Sequence, residues 1–202
     1  MNRIIRFSKF PNFLMVCRLL VDKGIREYVQ SARIIKEKYP EVKFRLAGPF
    51  DPNPAGLPHA ELEIWKKEGV IEYLGELEDI RPAFKNCSVY VLPSYREGTS
   101  RSVLEAMSMG RAIITTNAPG CRETVELNCG RSIDKDSTDV IQGENGFLVP
   151  VRNVEKLVCA MQRFIDYPEL MQKMGNRSRE IAVEKYDVNK VNKVILRGMG
   201  LV

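Results

Sequence analysis

Glu97 and Glu105 are separated by seven residues, and the string between them opens with Gly98, Thr99 and Ser100. The apolar run 87–92 before this stretch reads as a buried strand. The residues after it read as a helix with Val103, Leu104, Met107 and Met109 on the side facing a sheet, ended by Gly110. A strand, a small-residue loop and a helix start leave several backbone N–H groups without partners at the positive end of a helix dipole, which suits an anion. Two carboxylates beside such a site would repel a lone anion, so they point to hydroxyl pairs. A ligand with a diphosphate in its middle and a diol at each end, a nucleotide-sugar, meets all three demands. Taken alone, two glutamates at this spacing are more often a loop charge and a solvated helix residue. Their place on a strand-loop-helix transition, where open parallel sheets bind ligands, shifts that balance.

The string as a whole, with Ala106, Met107 and Gly110 after the second glutamate, resembles the carboxylate pair of the retaining glycosyltransferases of family 4, the glycosyl transferases group 1. The resemblance implies that Glu97 touches the hydroxyls of the donor sugar and Glu105 holds the ribose diol. It also implies that Arg18 and Lys23, in the turn after the first strand, grip the donor diphosphate with the amides of Gly98, Thr99 and Ser100. The base would sit near the strand end at 70–75, around Leu74, read largely by main-chain atoms. On their own, Arg18 and Lys23 read more readily as surface cations capping a turn. A nucleoside diphosphate leaving group gains charge as its bond breaks, which is the reason such a site needs fixed cations. Neither cofactor nor metal is implied.

The elements that position these residues alternate. Strands are expected at 13–17, 43–47, 70–74, 87–92, 112–115 and 147–150. Helices are expected at 25–39, 60–67 with Trp65 packed inward, 80–85, 154–165 and 168–186, the last with Arg177 and Arg179 on its exposed side, and a helical pattern closes the chain at 188–196. That order predicts an α/β fold, a Rossmann-like doubly wound parallel sheet flanked by helices. The run Pro119-Gly120-Cys121-Arg122-Glu123 makes a turn on the same edge of the sheet and matches many sugar-transferring relatives, with Glu123 read as structural. The polar stretch 126–142, with Asn128, Gly130, Asp134, Lys135 and Asp136, is longer than the usual link and reads as a plain excursion in preference to a flap over the donor.

Composition bounds the rest. At 202 residues, with 44% hydrophobic and 28% charged residues, the chain has the make-up of a globular domain and not of a disordered or fibrous one. No apolar run reaches the length of a membrane span, and residues 1–10 lack the core of a signal peptide. A formal charge of +5 without blocks of like charge argues against a nucleic-acid partner. Five cysteines at 17, 87, 121, 129 and 159 show no metal-type spacing and read as reduced thiols, and the single His59 offers no catalytic base.

The domain reading is a linker remnant at 1–12, a donor-binding domain at 13–187 and a tail at 188–202. The resemblance implies one half of a two-domain GT-B enzyme, an excised piece or a truncated product, with the amino-terminal acceptor domain missing. It further implies a uridine diphosphate sugar as the first candidate donor and a lipid-linked or polysaccharide acceptor. The expected location is the cytoplasm, at the inner membrane face. The rival readings are a binding module without catalysis and a nucleotide-sugar epimerase of the same plan, the latter disfavoured by the lone His59.

Overall fold

The computed structural model describes residues 10–127 and 134–200. Strands of four or five residues form the centre of a seven-stranded sheet: β1 (Asn12–Val16), β2 (Lys43–Ala47, with apolar residues alternating with Lys43 and Arg45), β4 (Val89–Leu92), β5 (Ala112–Thr116) and β7 (Gly146–Val149). Two-residue strands, β3 (Glu72–Tyr73) and β6 (Ile141–Gln142), close its two edges. The order is β3-β2-β1-β4-β5-β7-β6, parallel throughout except for the antiparallel β6–β7 pair. Every residue of β4, β5 and β7 is buried, as expected of parallel strands covered on both faces.

The helices are α1 (Ile25–Lys38), α2 (His59–Lys67), α3 (Arg81–Lys85), α4 (Arg101–Ser108), α5 (Val154–Asp166), α6 (Glu169–Lys185) and α7 (Val188–Gly198). From β1 the chain winds outward through β2 to β3, and from β4 it winds the other way through β5. Right-handed crossovers in opposite directions place α1 and α4 on opposite faces, where α1 packs on α5 and α4 on α6. The strand loops therefore diverge between β1 and β4, the point at which such sheets open a crevice. Beneath it the core is dense. Phe13 stacks on Phe44 at 5.1 Å, and the buried Tyr28 hydroxyl reaches the carbonyls of Phe13 and Arg45, each at 3.1 Å.

Several details differ from the sequence reading. The strand expected at 70–74 contracts to Glu72–Tyr73, because only Arg45 and Leu46 of β2 offer it a partner. The polar stretch 126–142 contains β6, added through the turn at 143–145, although its residues 128–133 lie outside those described, as do Cys129 and residues 1–9. Asn12, assigned to the linker, is the first residue of β1 and pairs with Lys43. Arg177 is no free surface cation: it meets Glu126, Glu144 and Glu180 and ties α6 to the segment after the Pro-Gly turn. Among the described residues no helix is long and apolar enough to cross a membrane.

Candidate functional site

Lys23 ends a short 3-10 turn, Val21–Lys23, and the chain can pack that turn against the end of β4 only because residue 24 is glycine. Gly24 has a φ of +76°, and a methyl group there would fall 2.2 Å from the Pro93 carbonyl oxygen. The Asp22 carbonyl then accepts the Tyr95 N–H at 2.9 Å and the Ser94 hydroxyl at 3.3 Å. The loop after β4 is held from its other side by the Pro119 carbonyl, which accepts the Glu97 N–H at 3.2 Å, and by the Thr116 hydroxyl, which donates to the Ser94 carbonyl. These contacts bring Lys23 and Glu97 together. The ammonium lies 2.8 Å from the Glu97 carboxylate, and the two side chains are 15% and 14% exposed.

The pair stands in the wall of a cavity of about 610 Å³ at the carboxyl ends of β1, β2 and β4. Arg18, Thr99, Ser100 and Glu105 line the same cavity, so most of the residues singled out in the sequence converge here. Arg18 is a rim cation, 65% exposed, with one guanidinium nitrogen 2.8 Å from Asp51. Glu105 is exposed on α4, and its side chain has no hydrogen-bond or ion-pair partner among the described residues. Cys17 also lines the cavity. Burial pushes its thiol well above the ordinary range, with Lys23 pulling the other way, so it remains protonated at neutral pH.

The first turn of α4 begins just beyond Gly98, Thr99 and Ser100, whose amides the resemblance assigns to the diphosphate. Ser100 is the residue before the first helical turn, and the first bond along the helix runs from the Leu104 N–H to the Ser100 carbonyl at 3.2 Å. The N–H groups at the positive end of the dipole are therefore those of Arg101, Ser102 and Val103. The Ser100 side chain caps none of them and instead meets Ser102 Oγ at 3.2 Å, which in turn lies 2.7 Å from the Tyr90 hydroxyl. Among the described residues Gly98 and Leu74 stand off the cavity wall. The Leu74 N–H is spent on the Leu46 carbonyl, and Glu76, Leu77 and Ile80 face the cavity in its place. Leu77 was not singled out because nothing local marks which residue beyond a two-residue strand turns inward. His59 opens α2 with its ring stacked on Phe50 at 3.6 Å, away from the cavity wall.

Chemically the cavity wall offers three cations, Arg18, Lys23 and Arg101, and three carboxylates, Glu76, Glu97 and Glu105, of which Glu97 is paired with Lys23, beside the first turn of α4. The model of the glycosyl transferases group 1 family matches residues 10–167. The N,N'-diacetylbacillosaminyl-diphospho-undecaprenol alpha-1,3-N-acetylgalactosaminyltransferase of Campylobacter jejuni is 40% identical over 121 residues, 60% of this chain and 30% of that protein. The capsular polysaccharide biosynthesis glycosyltransferase CapM of Staphylococcus aureus is 26% identical, over 87% of this chain and 42% of its own length. The chain thus spans less than half the length of these relatives. Among solved structures, Anabaena HepE in complex with UDP and glucose superposes with a TM-score of 0.75 at 20% identity, covering 96% of this chain and 49% of that one. The C-terminal domain of a glycosyl transferase group 1 protein, LpcC of Francisella tularensis, gives 0.68 at 21% identity and covers 89% of each chain. The fold is accordingly the Rossmann-like half of the GT-B glycosyltransferases, and the chain belongs to the glycosyl transferases group 1 family.

Proposed function

We propose that this chain is the donor-binding domain of a retaining glycosyltransferase that moves a sugar from a nucleoside diphosphate, uridine diphosphate first, to an acceptor hydroxyl in cell-envelope polysaccharide or glycolipid synthesis. The observation that carries the reading is the convergence of Lys23, Glu97, Glu105 and the first turn of α4 on one cavity. Glu97 orients the sugar hydroxyls, and Glu105, whose side chain has no partner among the described residues, accepts from the ribose diol. Arg18, Lys23 and the amides of residues 101–103 take the diphosphate.

As the glycosidic bond breaks, negative charge grows on the leaving phosphate. Cations and dipoles already fixed around it favour the transition state over the bound donor. Arg18 can fork onto two oxygens, and Lys23 acts as a point charge. These groups supply the positive charge that a metal brings in other designs, and the reading therefore needs none. No described side chain in the cavity is a neutral base placed to take the acceptor proton, so in this reading the leaving phosphate takes it. The acceptor, lipid-linked or polysaccharide, is met by a second domain corresponding to the part of the relatives that this chain does not match. The relatives named for an undecaprenol-linked sugar and for capsule synthesis support that acceptor class.

Calorimetric titration with uridine, guanosine and adenosine diphosphates in the absence of metal tests the reading. Binding of one nucleotide, weakened by Lys23→Ala and by Glu105→Ala, is the expected result. Absence of binding of all three by the folded chain would overturn it.

A further inference from the structure

Lys23 and Glu97 are assigned to different parts of the same donor, yet they are bonded to each other at 2.8 Å in the wall of the cavity. Both are largely shielded, at 15% and 14% exposure, so their charges interact more strongly than those of a surface pair. A phosphate that reaches Lys23 must come close to the Glu97 carboxylate. The backbone that carries Glu97 is held in place, its N–H by the Pro119 carbonyl and its carbonyl by Gly120 packed against it, so the loop keeps the carboxylate's point of attachment beside Lys23. Resting on the reading of this cavity as a donor site, we infer that Glu97 is a specificity-determining residue that discriminates the sugar-bearing donor from the free nucleoside diphosphate product.

A donor carries its sugar next to the terminal phosphate. Sugar hydroxyls donate to the Glu97 carboxylate, which replaces the bond lost when Lys23 turns to the diphosphate. The product has no such hydroxyls and ends in a phosphate of higher charge. It meets Glu97 as a bare anion and competes with it for Lys23. The same carboxylate is thus an attraction for the donor and a repulsion for the product, which speeds clearance of the site after transfer.

The test is calorimetry on the full 202-residue chain with uridine diphosphate and with uridine diphosphate glucose and uridine diphosphate N-acetylglucosamine, using Glu97→Gln, Lys23→Ala and the double variant. Removing the charge at 97 is expected to tighten uridine diphosphate about tenfold, since it removes one near charge in a partly shielded site. The preference of the wild type for a sugar nucleotide over the diphosphate should shrink in the same variant. Lys23→Ala should weaken the diphosphate, and adding Glu97→Gln to it should restore part of the loss. Glu97→Ala repeats the charge removal with a different side-chain volume. Weaker or unchanged binding of the diphosphate by Glu97→Gln and Glu97→Ala would overturn the inference while leaving the donor-site reading in place. Failure of the folded wild type to bind any of the three ligands would overturn both.

Discussion

Gly120 lies directly against the backbone of Glu97. A methyl group at 120 would fall 2.1 Å from the Glu97 carbonyl oxygen and 2.0 Å from that of Gly98, and the φ of Gly120 is +78°. The Pro-Gly turn after β5 is therefore the backstop of the loop that carries the carboxylate. Gly120→Ala is expected to lose at least about 2 kcal/mol of stability, from the left-handed backbone and from a clash with groups that cannot rotate away. It should also weaken nucleotide binding by displacing residues 97 and 98. Urea denaturation and calorimetry on the same samples check both. Unchanged values in both would show that the loop is not held by this contact.

Glu105 presents the opposite case. With no partner among the described residues and an exposed side chain, its truncation should leave stability within about 0.5 kcal/mol of the parent. Its effect belongs in the ligand. Glu105→Ala should weaken uridine diphosphate, and a nucleotide lacking both ribose hydroxyls should bind the parent and the variant equally. An equal loss with the hydroxyl-free nucleotide would remove the ribose from the assignment.

Tyr95 fastens the same loop to the helix behind Lys23. Its hydroxyl donates to Glu27 at 2.6 Å, its ring supports the Arg152 guanidinium at 4.6 Å, and burial, with Glu27 next, pushes its own ionisation up to about 12. The other oxygen of Glu27 is buried without a hydrogen-bond partner among the described residues, so Tyr95→Phe removes the bond that its carboxylate receives from this loop. A loss of about 1–2 kcal/mol is expected in chemical denaturation. A neutral result would show that water replaces the hydroxyl at no cost.

Glu126 receives Lys185 at 2.7 Å and also Arg177, and these partners, Lys185 first, hold its carboxyl below the ordinary value of 4.5. A carboxyl lowered by folding contributes stability above its unfolded value, and that contribution is lost as the pH falls through the folded one. Glu126→Gln should therefore lower Tm by about 2–4 °C at pH 7, and the difference from the parent should close progressively as the pH falls below 4.5. A difference that persists at pH 3 would assign it to packing.

The sheet and its helices were legible because each is written locally. The apolar stretches of β1, β4, β5 and β7 and the alternating pattern of β2 are bounded by glycine, proline or polar residues, and α5 and α6 carry clear helical stripes. Strand β6 was hidden because two residues gain strand geometry only from β7 beside them. The site was legible as a set of residue types, but its pairing was not. Lys23 and Glu97 are 74 positions apart, and nothing in either neighbourhood states that they bond. Placing the first turn of α4 required knowing that Ser100 precedes the helix, a boundary that local pattern leaves open by a residue or two. Arg177 looked solvated because its partners Glu126 and Glu144 lie on distant segments.

A crystal structure of the chain with uridine diphosphate tests the central claim most directly. The account predicts the diphosphate against Lys23 and the N–H groups of residues 101–103, with the ribose hydroxyls on Glu105 and the base toward Glu76 and Leu77. A nucleotide bound elsewhere, such as the groove between α3 and α4 lined by Phe84 and Leu104, with this cavity empty and the Lys23–Glu97 pair intact, would contradict it.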